Sequence, residues 1–187
     1  MRKIRSILQV SRLLTILPWV NWKDNKFIKD LNRWQEICHL EGTKTVILAQ
    51  LLWDKKEFRN LFIYRNSHRL IFRYWIALWY HPMDTLFIET PEIGGGLFIQ
   101  HGFATMIAAK SIGENCWINQ QVTIGYTGKG CPVIGSNVMI TCGAKVLGGI
   151  SVGDGAVIGA NAVVVKDVEA GAVMGGVPAT VIRKREV

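Results

Sequence analysis

A marker residue recurs every six positions through the C-terminal half of the chain, a period that fits neither a helix nor an ordinary hairpin. Ile112, Ile118 and Ile124, then Ile134, Ile140, Val146, Val152, Ile158 and Val164 carry it, with one step of ten residues between Ile124 and Ile134. Four residues after these markers stand Cys116, Val122, Val138, Ala144, Ile150, Ala156, Ala162 and Val168, every one small or aliphatic. Each hexad therefore offers two apolar inward positions. Between them lie turn formers: Gly113 with Asn115, Ser136 with Asn137, Gly153 with Asp154 and Gly155, Ala160 with Asn161. Such residues tolerate the corners a short strand must turn before the next begins. With three hexads to a coil of roughly 18 residues, successive coils stack in parallel and pair their backbones with the coils above and below.

The first half has a different period. Leu61, Tyr64, His68, Ile71, Trp75 and Leu78 recur at three- and four-residue steps, and Arg65, Arg69 and Arg73 stand four apart on another face. This spacing predicts one amphipathic helix with a cationic stripe. Ile4, Leu8 and their apolar neighbours before Pro18 outline a second, and Asn25 to Trp53 supply one or two more. The change of period sets two parts, a helical basic segment over 1–84 and a repeat domain over 85–187. Up to His81 there are 15 Lys and Arg against 6 Asp and Glu, whereas the remainder is near neutral. A basic segment of this kind is expected to face something anionic. Its arginines and Trp75, Trp79 and Tyr80 suit a peripheral membrane contact, or packing with the arginines solvated. Nucleic acid is disfavoured, because no nucleic-acid-binding motif accompanies the charge.

No run of about 18 uncharged apolar residues suggests a spanning helix. The basic N-terminal tip lacks a cleavage site and is read as retained, since Arg12 interrupts its apolar stretch. Cys38, Cys116, Cys131 and Cys142 are scattered, without C-x-x-C or histidines at ligand spacing. A reduced, metal-free, cytoplasmic protein is the simplest reading. Gly95 and Gly96 belong to neither GxGxxG nor a P-loop string.

The strings IGGGLFIQHG, INQQVTIG, GAKVLGGISVG, IGANAVVVKDV and GVPA resemble those of the hexapeptide-repeat acetyltransferases, and among them the serine acetyltransferases and polysaccharide O-acetyltransferases. The resemblance implies a mainly β fold, a left-handed parallel β-helix preceded by α-helices, in a homotrimer. It implies direct transfer from acetyl-CoA to an acceptor hydroxyl, with His101 as general base and one extra residue between Ile99 and Met106. Imidazole suits that role, since it titrates near neutrality and can take a proton from a hydroxyl and return one to a departing thiolate. A thioester is already activated, so neither a metal nor a covalent enzyme intermediate is required. His39, His68 and His81 have no motif around them and are read as structural or solvated.

By position, the resemblance places Cys142, Gly143, Ala160, Lys166, Pro178 and Arg183 along the coenzyme. Small corner residues let a pantetheine arm approach the backbone, and Lys166 and Arg183 meet phosphate charge. It places Gln100, Gln120, Tyr126 and Cys131 around the acceptor, with the interruption GYTGKGCPV as an external loop at the corner nearest the active site. Serine acetyltransferases carry charged groups where this chain has Gln100, Gly130, Cys131 and Leu86, and Glu89 or Glu92 are the candidate substitutes for an orienting carboxylate. A pocket without those charges disfavours a zwitterion. The expected acceptor is therefore a sugar hydroxyl of cell-surface polysaccharide synthesis, with serine O-acetylation as the alternative and a non-catalytic scaffold as a lower one.

Overall fold

The computed structural model describes residues 11–184. The chain divides into two compact units, Met1–Met83 and Asp84–Val187.

In the first unit residues 11–16 are helical and Leu17–Trp19 form a 3-10 turn, followed by α1 (Asn25–Ile37), α2 (Lys44–Asp54), α3 (Lys56–Arg65) and α4 (Leu70–Trp79). The segment expected around Ile4 and Leu8 lies outside the described residues. Asp24 starts α1 by accepting from the Lys26 and Phe27 amides, and Thr43 starts α2 by accepting from the Val46 amide. The core is aromatic. Trp34 meets Phe58 edge-on at 5.3 Å between centroids, Phe27 meets Phe62 at 5.4 Å, and Phe62 meets Phe72 at 6.4 Å. Arg59 and Asn60 hold the exit of this unit, Arg59 donating to the carbonyls of Leu52, Trp53 and His81, and Asn60 exchanging two hydrogen bonds with the Met83 backbone.

The single helix expected through Leu61 to Leu78 is two helices. Asn66 ends the first, its amide side chain donating to the Phe62 carbonyl, and residues 66–69 turn before α4 begins. Asn and Ser favour such breaks because their side chains compete for backbone partners. The break rotates the faces: Leu61 is buried as expected, but Phe72 and Ile76 form the buried side of α4, while Ile71 and Leu78 are exposed. The solvated arginine stripe is likewise corrected. Arg65 is buried in a two-point contact with Asp30, at 2.7 and 3.1 Å, and Arg69 donates to the Trp19 carbonyl.

The second unit is a parallel β-helix of three faces. The first face stacks β1 (Leu86–Ile88), β4 (Thr105–Ile107), β7 (Thr123–Gly125), β10 (Lys145–Leu147) and β13 (Val163–Val164). The second stacks β2 (Glu92–Ile93), β5 (Ser111–Ile112), β8 (Val133–Ile134) and β11 (Ser151–Val152). The third stacks β3 (Phe98–Gln100), β6 (Trp117–Asn119), β9 (Met139–Ile140), β12 (Val157–Ile158) and β14 (Ala172–Gly176), and β15 (Ala179–Lys184) folds back antiparallel on β14. All nine hexad markers are buried, none more than 3% exposed. Burying an Ile or Val contributes roughly 1.5–3 kcal/mol each, so the column of markers supplies much of the driving force. The second inward set is buried too, except Ile150, which is half-buried after the Gly148–Gly149 corner.

The extra residue moves more of the chain than one corner. Leu86 pairs with Thr105, an offset of 19, but Met106 pairs with Thr123, an offset of 17, before the coils settle at 18 between Lys145 and Val163. The added residue widens the corner 101–104, and the following coil takes it back. The ten-residue step is a loop closed by a Thr127–Gly130 bridge. It rests on the next coil where Gly149 has no side chain, since a Cβ there would meet the Lys129 carbonyl.

Replacing Asp30 by Ala strands the buried Arg65 guanidinium and is expected to destabilise the helical unit by about 3–5 kcal/mol. Urea denaturation followed by tryptophan fluorescence measures this, and an Asp30→Leu, Arg65→Met double variant should recover most of the loss. In the β-helix, burial pushes the Cys116 thiol from 9.0 up to about 11. The unfolded thiol ionises first, so between those two values the unfolded chain holds fewer protons and stability falls as pH rises. The loss across that window should be of order 2 kcal/mol by urea denaturation, and Cys116→Ala should remove that part of the pH slope.

Candidate active site

The edge between the third and first faces is built from left-handed residues. Ala104, Gln121, Gly143 and Asn161 stack there with φ of 51°, 60°, 72° and 57°. Their amides tie the column together: Gln121 donates to the Phe103 carbonyl at 2.9 Å, Gly143 to that of Gln120 at 3.1 Å, and Asn161 to that of Cys142 at 2.9 Å. At Gly143 the absent side chain matters for a second reason, because a Cβ would collide with the Asn161 amide oxygen.

His101 begins this edge. It follows β3 directly, is exposed, and holds φ at 63°, with the Phe103 amide closing on its carbonyl at 2.6 Å. A non-glycine residue held there costs of order 1–3 kcal/mol, the kind of local strain that clusters at functional sites. Its side chain makes no hydrogen bond to another described residue. Gln100 is half-buried beside it and accepts from the Trp117 indole at 3.2 Å, and Trp117 packs edge-on against Phe98.

The register places Asn119 opposite Gln100, so Asn119 and Gln120 belong to the coil directly above His101. The Asn119 Oδ1 and Gln120 Oε1 atoms are buried and have no hydrogen-bond partner. Buried polar atoms are normally satisfied, so two adjacent unsatisfied amide oxygens in the coil next to an exposed histidine make this corner the candidate site. Gln120 was a sequence candidate. Asn119 was not, although it stands inside the string INQQVTIG.

The remaining candidates fall elsewhere. Cys142, Gly143 and Ala160 share the His101 edge, half-buried or exposed, and form a shallow track of small groups along it. Tyr126, Cys131 and Lys166 sit at the next edge, between the first and second faces. There Tyr126 and Cys131 join Glu89, Pro91, Ala108, Ala109 and Lys110 around a cleft of about 430 Å³. Pro178 lies in the β14–β15 turn, after a cis peptide bond, and Arg183 lies on β15 opposite Val173. The interruption loop was expected at the corner nearest His101. Within one chain it is one strand away, because β7 separates the two corners. Leu86 is 4% exposed and faces the core, while Glu89 faces the cleft at the other edge. Among the described residues, no group of three His, Cys, Asp or Glu side chains is placed to hold a metal ion.

Residues 131–166 match the bacterial transferase hexapeptide (six repeats) family. The serine acetyltransferase of Helicobacter pylori strain J99 is 35% identical over 158 residues, covering 82% of this chain and 88% of that protein. The chain belongs to the hexapeptide-repeat transferases. Among solved structures, the serine acetyltransferase of Neisseria gonorrhoeae in complex with serine superposes with a TM-score of 0.66 at 27% identity, over 83% of this chain and 66% of that one. That of Brucella abortus strain S19 in complex with coenzyme A gives 0.67 at 25%, over 95% of this chain and 73% of that one. The parallel coils are thus the left-handed β-helix of this family, and the transferase is an acyltransferase. Its similarity to serine acetyltransferases favours the amino-acid acceptor over the polysaccharide one.

Replacing Gln120 by Leu removes one unsatisfied amide and is expected to leave the thermal midpoint unchanged or raised, because no intramolecular hydrogen bond is lost. Steady-state kinetics should show kcat/KM reduced about tenfold or more if the amide meets ligand.

Proposed function

We propose that the transferase moves the acetyl group of acetyl-CoA to the hydroxyl of L-serine, with His101 as general base. What supports this acceptor is the similarity to serine acetyltransferases along 82% of the chain. What supports His101 is its place: an exposed imidazole at the end of the track of small residues, beside two unsatisfied amides. The pantetheine arm lies along Cys142, Gly143 and Ala160, where no large side chain intervenes; Arg183 meets phosphate, and Lys166, whose edge of the same chain lies across β13, does so from another copy. His101 takes the proton from the acceptor hydroxyl as its oxygen attacks the thioester carbonyl. The C–S bond then breaks, and the proton passes from His101 to the departing thiolate. The Asn119 and Gln120 amide oxygens are acceptors, suited to an N–H or O–H donor of a bound ligand.

Tyr126 and Cys131 complete the acceptor pocket only if they come from another copy, because their edge of the same chain lies across β7. A cyclic trimer, each copy setting one edge against its neighbour's next edge, meets that requirement. Acetyl-CoA as donor fits a cytoplasmic enzyme.

A second reading, a neutral hydroxyl such as a sugar's, is favoured by one specific feature. The positions where a zwitterion would be paired are Gln100, whose oxygen is already engaged by Trp117, and the uncharged Gly130, Cys131 and Leu86. An unpaired carboxylate or ammonium costs several kcal/mol to desolvate.

Release of free thiol from acetyl-CoA, followed at increasing L-serine, should saturate in the wild type. In His101→Ala it should fall by about two orders of magnitude or more, with acetyl-CoA binding retained by calorimetry. Absence of saturation by L-serine alongside turnover of sugar acceptors would replace the first reading by the second, and undiminished turnover in His101→Ala would remove His101 as the base.

A further inference from the structure

The helical unit carries an apolar face that its own core leaves uncovered. On α4, Leu70, Ile71, Tyr74 and Leu78 are 60%, 89%, 64% and 72% exposed, while Phe72 and Ile76 on the other side are buried. Trp19, 56% exposed, lines one groove with Leu70 and Ile71 and so extends the same surface. Single exposed apolar side chains are ordinary, but a contiguous group of this size marks an interaction surface.

The surface is held in shape. Arg69 donates to the Trp19 carbonyl at 2.6 Å, and the Trp75 indole donates to the Thr15 hydroxyl at 3.3 Å. Between these two ties lies an apolar groove of about 760 Å³. The groove is therefore fixed by polar contacts at its margins, and its walls remain open.

The charge around it has one sign. No Asp or Glu occurs from Met1 to Lys23 or from Phe58 to Met83, and the described residues of the face all come from within those two stretches. Arg69 lies over the Phe72 ring at 4.7 Å and Arg73 over the Tyr74 ring at 5.1 Å, so the cations border the apolar patch. No described helix is long and apolar enough to cross a membrane.

We propose that this face docks on an anionic lipid surface, with Leu70, Ile71 and Leu78 entering the acyl boundary and Arg69 and Arg73 meeting phosphate headgroups. Exposed Trp and Tyr at the margin suit the headgroup layer, and arginines without neighbouring carboxylates suit anionic lipid. A two-fold contact between two copies is disfavoured, because it sets a face without carboxylates against an identical one, where Arg69 and Arg73 meet no countercharge. The contact lies in the helical unit and involves none of the candidate acetyl-transfer residues.

Flotation of the full chain with phosphatidylcholine vesicles, with and without phosphatidylglycerol, tests the proposal, with sedimentation velocity and acetyl-transfer activity measured in parallel. Wild type should float with the anionic vesicles at low salt and much less with phosphatidylcholine alone. Ile71→Asp and Leu78→Asp, both at exposed positions, should reduce the bound fraction about tenfold while leaving oligomeric state and activity unchanged. Failure of wild type to float with anionic vesicles would overturn the proposal. So would variants that bind as wild type, or that lose oligomeric state, the latter making the face a contact between copies.

Discussion

The backbone ladder that runs from coil to coil is the interaction on which the β-helix depends. Each short strand is too brief to be stable alone, yet each lies between copies of itself one coil away, so every amide on a face finds a carbonyl above or below. That arrangement demands an almost constant number of residues per coil. It also demands corners that swing the chain onto the next face within a few residues, which is why Asn115, Asn137 and Asn161 hold left-handed conformations alongside Gly143, Gly155 and Gly171. The hydrophobic markers drive collapse, but the corners set the register in which the markers meet.

The candidate site arises where that regularity is broken. The residue added near His101 places two further left-handed residues, His101 and Gly102, on the corner, and the next coil shortens to recover the register. The interruption at 125–133 breaks the count a second time, at the neighbouring edge, and a cleft of about 430 Å³ forms there. The candidate base and the cleft of this fold therefore lie at departures from the repeat, away from the unbroken coils nearer the C-terminus.

How much of this is visible in the sequence follows from the range of the interactions. The hexad markers are readable because burial repeats at a fixed local spacing, and all nine are in the core. Ile150 departs from its expected burial because two glycines before it change the corner. The helical half is less readable. Spacings of three and four continue through Asn66 and Ser67, so the periodicity masks the break that these two residues favour. The pairing of Arg65 with Asp30 spans 35 residues, and spacing along one helix cannot anticipate it. At the site, the string around His101 singles it out, whereas Asn119 stands out only by an oxygen left without a partner, which the ladder alone reveals.

The β14–β15 hairpin sets the length of the solenoid. Coils that pair in parallel expose at their end a row of amides and carbonyls that a further coil, or another molecule's, could extend without limit. On the third face that row is taken by β15, which runs the opposite way and offers its outer edge with reversed polarity. The Lys184–Glu169 ion pair draws the end of β15 toward the last coil. A motif that could add turns indefinitely, and so grow into a filament, is thereby blocked on one of its three faces by six residues laid in the opposite direction.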